Sequence, residues 1–158
     1  TIHKGVIEEA IDETLKSFNE DNTENPYKMH AELQDIMEKH VGIVREEKSL
    51  DEGIKKLENM EKRLDNVKTT GGREYNPSWH LCLDLKNMVI TSLAIAKAAK
   101  ERKESRGGHT RLDYPKYDAE LEKMNIIVRK GPEGINVVKS EKNKMPEELS
   151  NYVAKEAV

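Results

Sequence analysis

Apolar residues recur at helical spacing from the first positions of the chain. Val6, Ile7, Ala10, Ile11, Leu15 and Phe18, separated by Glu and Lys, predict a helix over 2–18. The polar and acidic stretch from Asn19 to Glu24 reads as a linker. Asn25-Pro26 then opens a second helix, because Asn caps free amides and Pro at the first helical position has the φ a helix needs. Its expected buried stripe is Met29, Leu33, Ile36, Met37, His40 and Val44, with Gly42 interrupting near its end. Ser49, with Glu52 three residues on, has the spacing of a capping box and predicts the start of a third helix. Leu50, Ile54, Leu57, Leu64 and Val67, with Met60 beside them, mark its face, and Thr69-Thr70-Gly71-Gly72 is its expected stop.

A second Asn-Pro pair, Asn76-Pro77, opens the longest helix, expected to run to about Ser105. Trp79, Leu81, Cys82, Leu83, Leu85, Met88, Val89, Ile90, Leu93, Ala94, Ile95 and Ala96 cover nearly its whole circumference. A helix apolar all round is enclosed by others, so this one is expected to be a central rod with amphipathic helices packed on it. Lys97, Lys100, Arg102 and Lys103 complement the negative end of its dipole, and Gly107-Gly108 is its expected left-handed stop. After Pro115 the period changes. The runs 125–128 and 135–138, rich in Ile and Val and separated by Arg129-Lys130-Gly131-Pro132-Glu133-Gly134, predict a β-hairpin. A lone hairpin is marginal in water, so it must lean on the bundle or on a neighbour. From Glu141 onward the chain is polar, with Pro146 and room for one short final helix. The fold class is therefore mainly α, three to four helices around a central apolar helix, with a small C-terminal β-hairpin.

Composition sharpens this reading. Among 158 residues, 36% are charged against 35% hydrophobic, and only 4% are aromatic. That argues against a β-sandwich or barrel and for Glu- and Lys-rich surface helices around a modest core. A net charge of −3 gives no general electrostatic case for nucleic acid or an anionic membrane. The longest uncharged stretch, Asn87 to Ala96, is far short of the roughly 20 residues of a membrane span, and 1–20 holds no signal-peptide block. Without an initiator Met before Thr1, the chain reads as a processed product or an excised piece.

Candidate chemistry is sparse. Cys82 is the single cysteine, sits in an apolar run and reads as a buried structural thiol. His3, His30, His40, His80 and His109 form no metal-ligand spacing, and His80 and Cys82, two apart, lie on different helix faces. Neither Gly71-Gly72 nor Gly107-Gly108 has the spacing of a phosphate loop, no serine has a nucleophile's context, and carboxylate pairs such as Glu8-Glu9 read as solvated faces. One segment, 102–115, stands apart because it follows the end of the buried helix. Arg106 and Arg111, with His109 between them, could grip carboxylates or carbonyls in fork geometry. Equally, the segment could be a cationic helix end plus a loop tied down by Asp113 and Glu104.

Arg102, Glu104, Ser105, Arg106, Gly107, Gly108, His109, Arg111, Asp113 and Pro115 stand in the order Arg-x-Glu-Ser-Arg-Gly-(Ala/Gly)-His-x-Arg-x-Asp-x-Pro. This resembles a signature near the C-terminus of the succinate dehydrogenase/fumarate reductase flavoprotein subunits. The resemblance extends upstream through Asn25-Pro26-Tyr27, Glu32-Leu33-Gln34-Asp35-Ile36-Met37, Val41-Gly42-Ile43-Val44-Arg45 and Leu85-x-Asn87-Met88. Where many relatives have Glu-Asn-Trp-Leu-Lys-His, this chain has Ala119-Glu120-Leu121-Glu122-Lys123-Met124.

The resemblance implies the C-terminal helical domain of a subunit several times this length. Such a subunit binds FAD in a Rossmann-like domain, closes a capping domain over a dicarboxylate, and passes electrons from succinate to an iron–sulfur subunit. No catalytic, cofactor-binding or metal residue of the family has a matching position here, so no cofactor is expected in this chain. Residues 1–24 are expected to be a helix and linker from the preceding domain, 25–116 the bundle with its loop, and 117–158 the hairpin and polar tail. Arg106, His109, Arg111 and Asp113 are the expected docking residues toward the flavin and capping domains and the iron–sulfur subunit, with no direct membrane insertion. The implied location is cytoplasmic, with the parent complex at the cytoplasmic face of the membrane. The alternatives are the C-terminal domain of L-aspartate oxidase and a stand-alone helical scaffold.

Overall fold

The computed structural model describes residues 3–132 and 134–153. Ile2 of the expected first helix, Glu133 of the hairpin connection and 154–158 of the polar tail lie outside the described residues. Three helices make the bundle: α2 (Pro26–Val41), α3 (Glu47–Arg63) and α4 (Pro77–Glu101), each touching the other two. The core they share is Met29, Leu33 and Ile36 from α2, Leu50, Leu57 and Met60 from α3, and Leu85, Val89, Leu93 and Ala96 from α4. Both Asn-Pro starts work as expected. The Asn25 side chain accepts from the Tyr27 and Lys28 amides. Buried Asn76 accepts from the Trp79 amide and donates to the carbonyls of Thr70 and Gly72, so it also pins the loop before α4. Gly42 closes α2 directly after Val41.

Several boundaries differ from the sequence reading, each for a tertiary reason. The Ser49–Glu52 capping box does not form, because α3 already begins at Glu47. Its cap comes from 66 residues away: the Glu47 amide donates to the Asp113 carboxylate at 3.0 Å. Ser49 lies inside the first turn with its hydroxyl 3.3 Å from His40 Nδ1. At the other end α3 stops at Arg63 and passes into a 3₁₀ turn, Leu64–Asn66, well before the expected Gly71-Gly72 stop. There Val67 bridges to Glu24, and the Arg63 guanidinium pairs with Glu24 and Glu32. Likewise α4 ends at Glu101, short of Ser105, because Arg102 turns to extended backbone. Gly107-Gly108 therefore does not terminate the helix. Gly107 takes a positive φ of 57° in a separate turn, 106–109.

α4 is also not fully enclosed. Leu85, Val89 and Leu93 are buried between α2 and α3, whereas Leu83, Met88, Ile90 and Ile95 remain exposed. The first helix, α1 (Lys4–Leu15), followed by a 3₁₀ turn over Lys16–Phe18, buries none of its residues in the described chain. It is held to α4 by Trp79, whose indole donates to the Thr14 carbonyl at 2.8 Å and meets Phe18 edge-on, and by a Lys86–Glu13 ion pair.

The hairpin is longer than the two apolar runs predict. β3 (Met124–Gly131) and β4 (Gly134–Glu141) pair antiparallel from Met124↔Glu141 to Gly131↔Gly134. It leans on the bundle: Ile135 packs against the core and Lys139 pairs with Glu101 at 2.8 Å. A four-residue helix, α5 (Ala119–Glu122), leads into it and is capped by Asp118, while the expected short final helix is α6 (Glu147–Val153). Two residues on each side, β1 (Val44–Arg45) and β2 (Thr110–Arg111), pair parallel and tie the end of α2 to the loop after α4. Cys82 is half-buried, and burial pushes its thiol above the usual range. No described helix is long and apolar enough to cross a membrane.

Candidate functional site: the loop that closes the helix ends

Helices leave their last carbonyls without partners, and α4 solves this with Arg111. That side chain is fully buried. Its Nη1 donates to the carbonyls of Ala99 and Lys100 at 3.1 Å and of Arg102 at 3.3 Å. Its other face grips Asp113 in a two-point fork, Nε to Oδ1 at 2.8 Å and Nη2 to Oδ2 at 2.7 Å. The Arg111 guanidinium holds the Asp113 carboxyl down at about 2, with the Glu47 amide helping against the cost of burial. One Arg–Asp pair thus closes the end of α4 and the start of α3 together. Ser105 completes the support, accepting from the Arg111 amide at 2.8 Å.

A second pair ties the loop to the hairpin. Glu104 is fully buried, which alone would raise its pKa. Hydrogen bonds from Arg106, the Asp118 amide and Arg102 outweigh that burial and hold it at about 2. Arg102 continues with its guanidinium to the carbonyls of Leu121 and Met124, at 3.3 and 3.0 Å. Buried carboxylates persist ionised only when paired and hydrogen-bonded to this degree.

His109 joins the two halves. Arg45 Nη1 lies 2.6 Å from His109 Nδ1, and since a guanidinium can only donate, Nδ1 must be the accepting nitrogen. Nε2 then carries the proton and donates to the Arg102 carbonyl at 3.0 Å. Burial, with Arg45, Arg111 and Arg102 nearby, pushes the imidazole below its usual pKa and keeps it neutral. Arg45 itself donates Nε to the carbonyls of Val41, the last residue of α2, and of its cap Gly42, at 3.2 and 2.6 Å.

Above this base sits a flat tip. The Arg106 and His109 backbones bond in both directions, at 2.8 and 3.0 Å, and turn the chain through exposed Gly107 and Gly108. Arg106, half-buried, stacks over exposed Tyr117 at 5.0 Å. Of the four expected docking residues, Arg106 and His109 reach the surface, whereas Arg111 spends all its donors inside and Asp113 holds both Arg111 and α3. The spacing of the charges singled out the segment. Missed were Arg45, which the residue pattern alone did not mark, and Glu104 as the fully buried centre of a network. No group of three or more His, Cys, Asp or Glu poised for a metal occurs among the described residues.

A bundle of this shape, with a loop of this order, defines a mainly helical domain whose loop is held by buried arginine–carboxylate pairs. The chain belongs to the family described as the C-terminal domain of the fumarate reductase flavoprotein, whose model matches residues 30–150. It is 33% identical over 127 residues to the succinate dehydrogenase flavoprotein subunit of Coxiella burnetii, covering 79% of this chain and 22% of that protein. It is 37% identical over 92 residues to the L-aspartate oxidase of Acinetobacter baylyi, covering 58% of this chain and 16% of that one. Among solved structures, Mycobacterium smegmatis Sdh1 in complex with UQ1 superimposes with a TM-score of 0.90 at 37% identity, covering 97% of this chain and 26% of the other. The chain spans about a fifth to a quarter of the length of these succinate dehydrogenase relatives.

Proposed function

We propose that this chain is the C-terminal helical domain of an FAD-dependent subunit that interconverts succinate and fumarate, and that the 105–113 loop docks it onto the flavin and capping domains. The observation that carries the docking reading is Gly108. It is exposed, has no left-handed backbone, and a Cβ built on it meets nothing within 4 Å. Nothing inside the described chain requires glycine there. A backbone kept bare over a buried, charge-locked base suits close approach by another body. In this reading Arg106 and His109 meet that body, while Arg111 and Asp113 hold the loop that presents them.

In this reading the flavin is held by the parts of the subunit outside residues 1–158. Neither Gly-Gly pair leads from a strand of a parallel sheet into a helix, the arrangement that receives a dinucleotide pyrophosphate. The domain's part is mechanical: it braces the flavin domain and shapes the surface offered to an iron–sulfur partner at the cytoplasmic face of the membrane.

In the full-length subunit, Gly108→Val is expected to lower retained flavin and turnover while the domain itself still folds. Unchanged flavin content and turnover would overturn the docking role. Arg106→Ala should weaken docking in the same assay. The likeness to L-aspartate oxidase gives a second reading. Co-purification of an iron–sulfur subunit favours the succinate–fumarate assignment, and aspartate-dependent flavin reduction without such a partner favours the other. A chain with its own start codon and no flavin domain upstream would instead mark a stand-alone scaffold.

A further inference from the structure

Four arginines meet at this loop, and three of them carry a carboxylate: Arg102 and Arg106 share Glu104, and Arg111 holds Asp113. Arg45 has none. Its bonds run to two carbonyls and to the neutral nitrogen of His109, and Arg111 stands close enough to repel it. A half-buried guanidinium without a counter-charge is costly, and the rest of this loop is built to avoid that cost. Exposed apolar residues flank it along β1 and just past β2: Ile43 is 70% exposed, Val44 59% and Leu112 62%. A cation without a counter-charge among exposed apolar residues, near a bare glycine tip, matches the make-up of a protein docking centre, where Arg and apolar side chains are enriched.

We propose that Arg45 receives an Asp or Glu carboxylate from the polypeptide surface that docks on this loop, outside residues 1–158, giving this arginine the counter-charge that the other three arginines of the loop already have. The proposal rests on the docking reading above and names the chemistry of the partner surface: an acidic side chain set among apolar ones. A second copy of this chain or a free anion would be other occupants, and the test separates them.

The experiment uses the full-length subunit carrying Arg45→Lys, treated with a water-soluble carbodiimide, which joins an amine to a carboxylate in direct contact. Peptide mapping should find a cross-link from position 45 to an Asp or Glu outside 1–158. Ile43→Lys places an amine at the exposed neighbouring position without touching the Arg45 bonds, and should capture the same or an adjacent carboxylate if Arg45→Lys fails to fold. Cross-links only to carboxylates within 1–158, in the same or another copy, or no cross-link from either variant, overturn the proposal. If Gly108→Val still disrupts docking while no such cross-link forms, docking stands and the carboxylate partner does not. If Gly108→Val leaves docking intact, the docking reading itself fails.

Discussion

Arg111 shows how one side chain sets the behaviour of its neighbourhood. Replacing it by Ala strands the carbonyls of Ala99 and Lys100 and leaves Asp113 without its ion-pair partner, so a loss of about 3–5 kcal/mol is expected by chemical denaturation. Arg111→Lys keeps the charge but not the planar fork, and should recover only part of that loss. The acid response follows from Glu104 and Asp113. Both have folded pKa values of about 2, below the roughly 4 of an unfolded carboxylate. A depressed folded value means stability that is complete above about pH 5 and drains as pH falls toward 2. Glu104→Gln and Asp113→Asn should each flatten a plot of melting temperature against pH in that window. The sequence made the charges of this segment legible but not their direction. Arg111 reads outward in a linear motif because the carbonyls it serves belong to backbone, which no residue pattern displays.

At the level of elements, the helices were legible where local chemistry decided them and illegible where a distant residue did. The two Asn-Pro starts are local and formed as expected. Asn76→Ala should therefore cost about 1–2 kcal/mol or more, since it removes the α4 cap and two loop bonds together. The Ser49–Glu52 box failed because Asp113 offers a better cap one turn earlier. The crossing of α2 and α3 depends on Gly53, where a Cβ would lie 2.7 Å from the Cβ of His40. Gly53→Ala is expected to destabilise by about 1–3 kcal/mol even though Ala is the better helix former, because the helices must part. Circular dichroism with thermal melting checks both substitutions.

For the whole molecule, the apolar circumference of α4 reads as a helix enclosed on every side, yet Leu83, Met88, Ile90 and Ile95 stay exposed. α1 exposes Val6, Ile7 and Ile11 as well, with none of its residues buried. Periodicity reports which faces avoid water but not whose surface covers them. A 12-residue helix without tertiary burial is marginal in water. Amide hydrogen exchange on this chain alone should find α1 close to unprotected and the facing cores of α2, α3 and α4 well protected. In the full-length subunit, α1 should gain protection if the relatives' additional length supplies its cover. Equal exchange in both settings would mean that the open faces stay wet.

Asp113 capping the start of α3 has a consequence for synthesis. The ribosome releases Glu47 long before Asp113, so during translation the α2–α3 corner waits with its amide unmet until the segment beyond α4 emerges. A nascent chain halted anywhere short of that aspartate carries an unlatched bundle, and completing one short stretch after α4 latches α3 and α4 at a stroke. Premature termination between 102 and 113 should thus yield a product that quality-control proteases degrade as if most of the domain were missing, although nearly all of its hydrophobic core has been made.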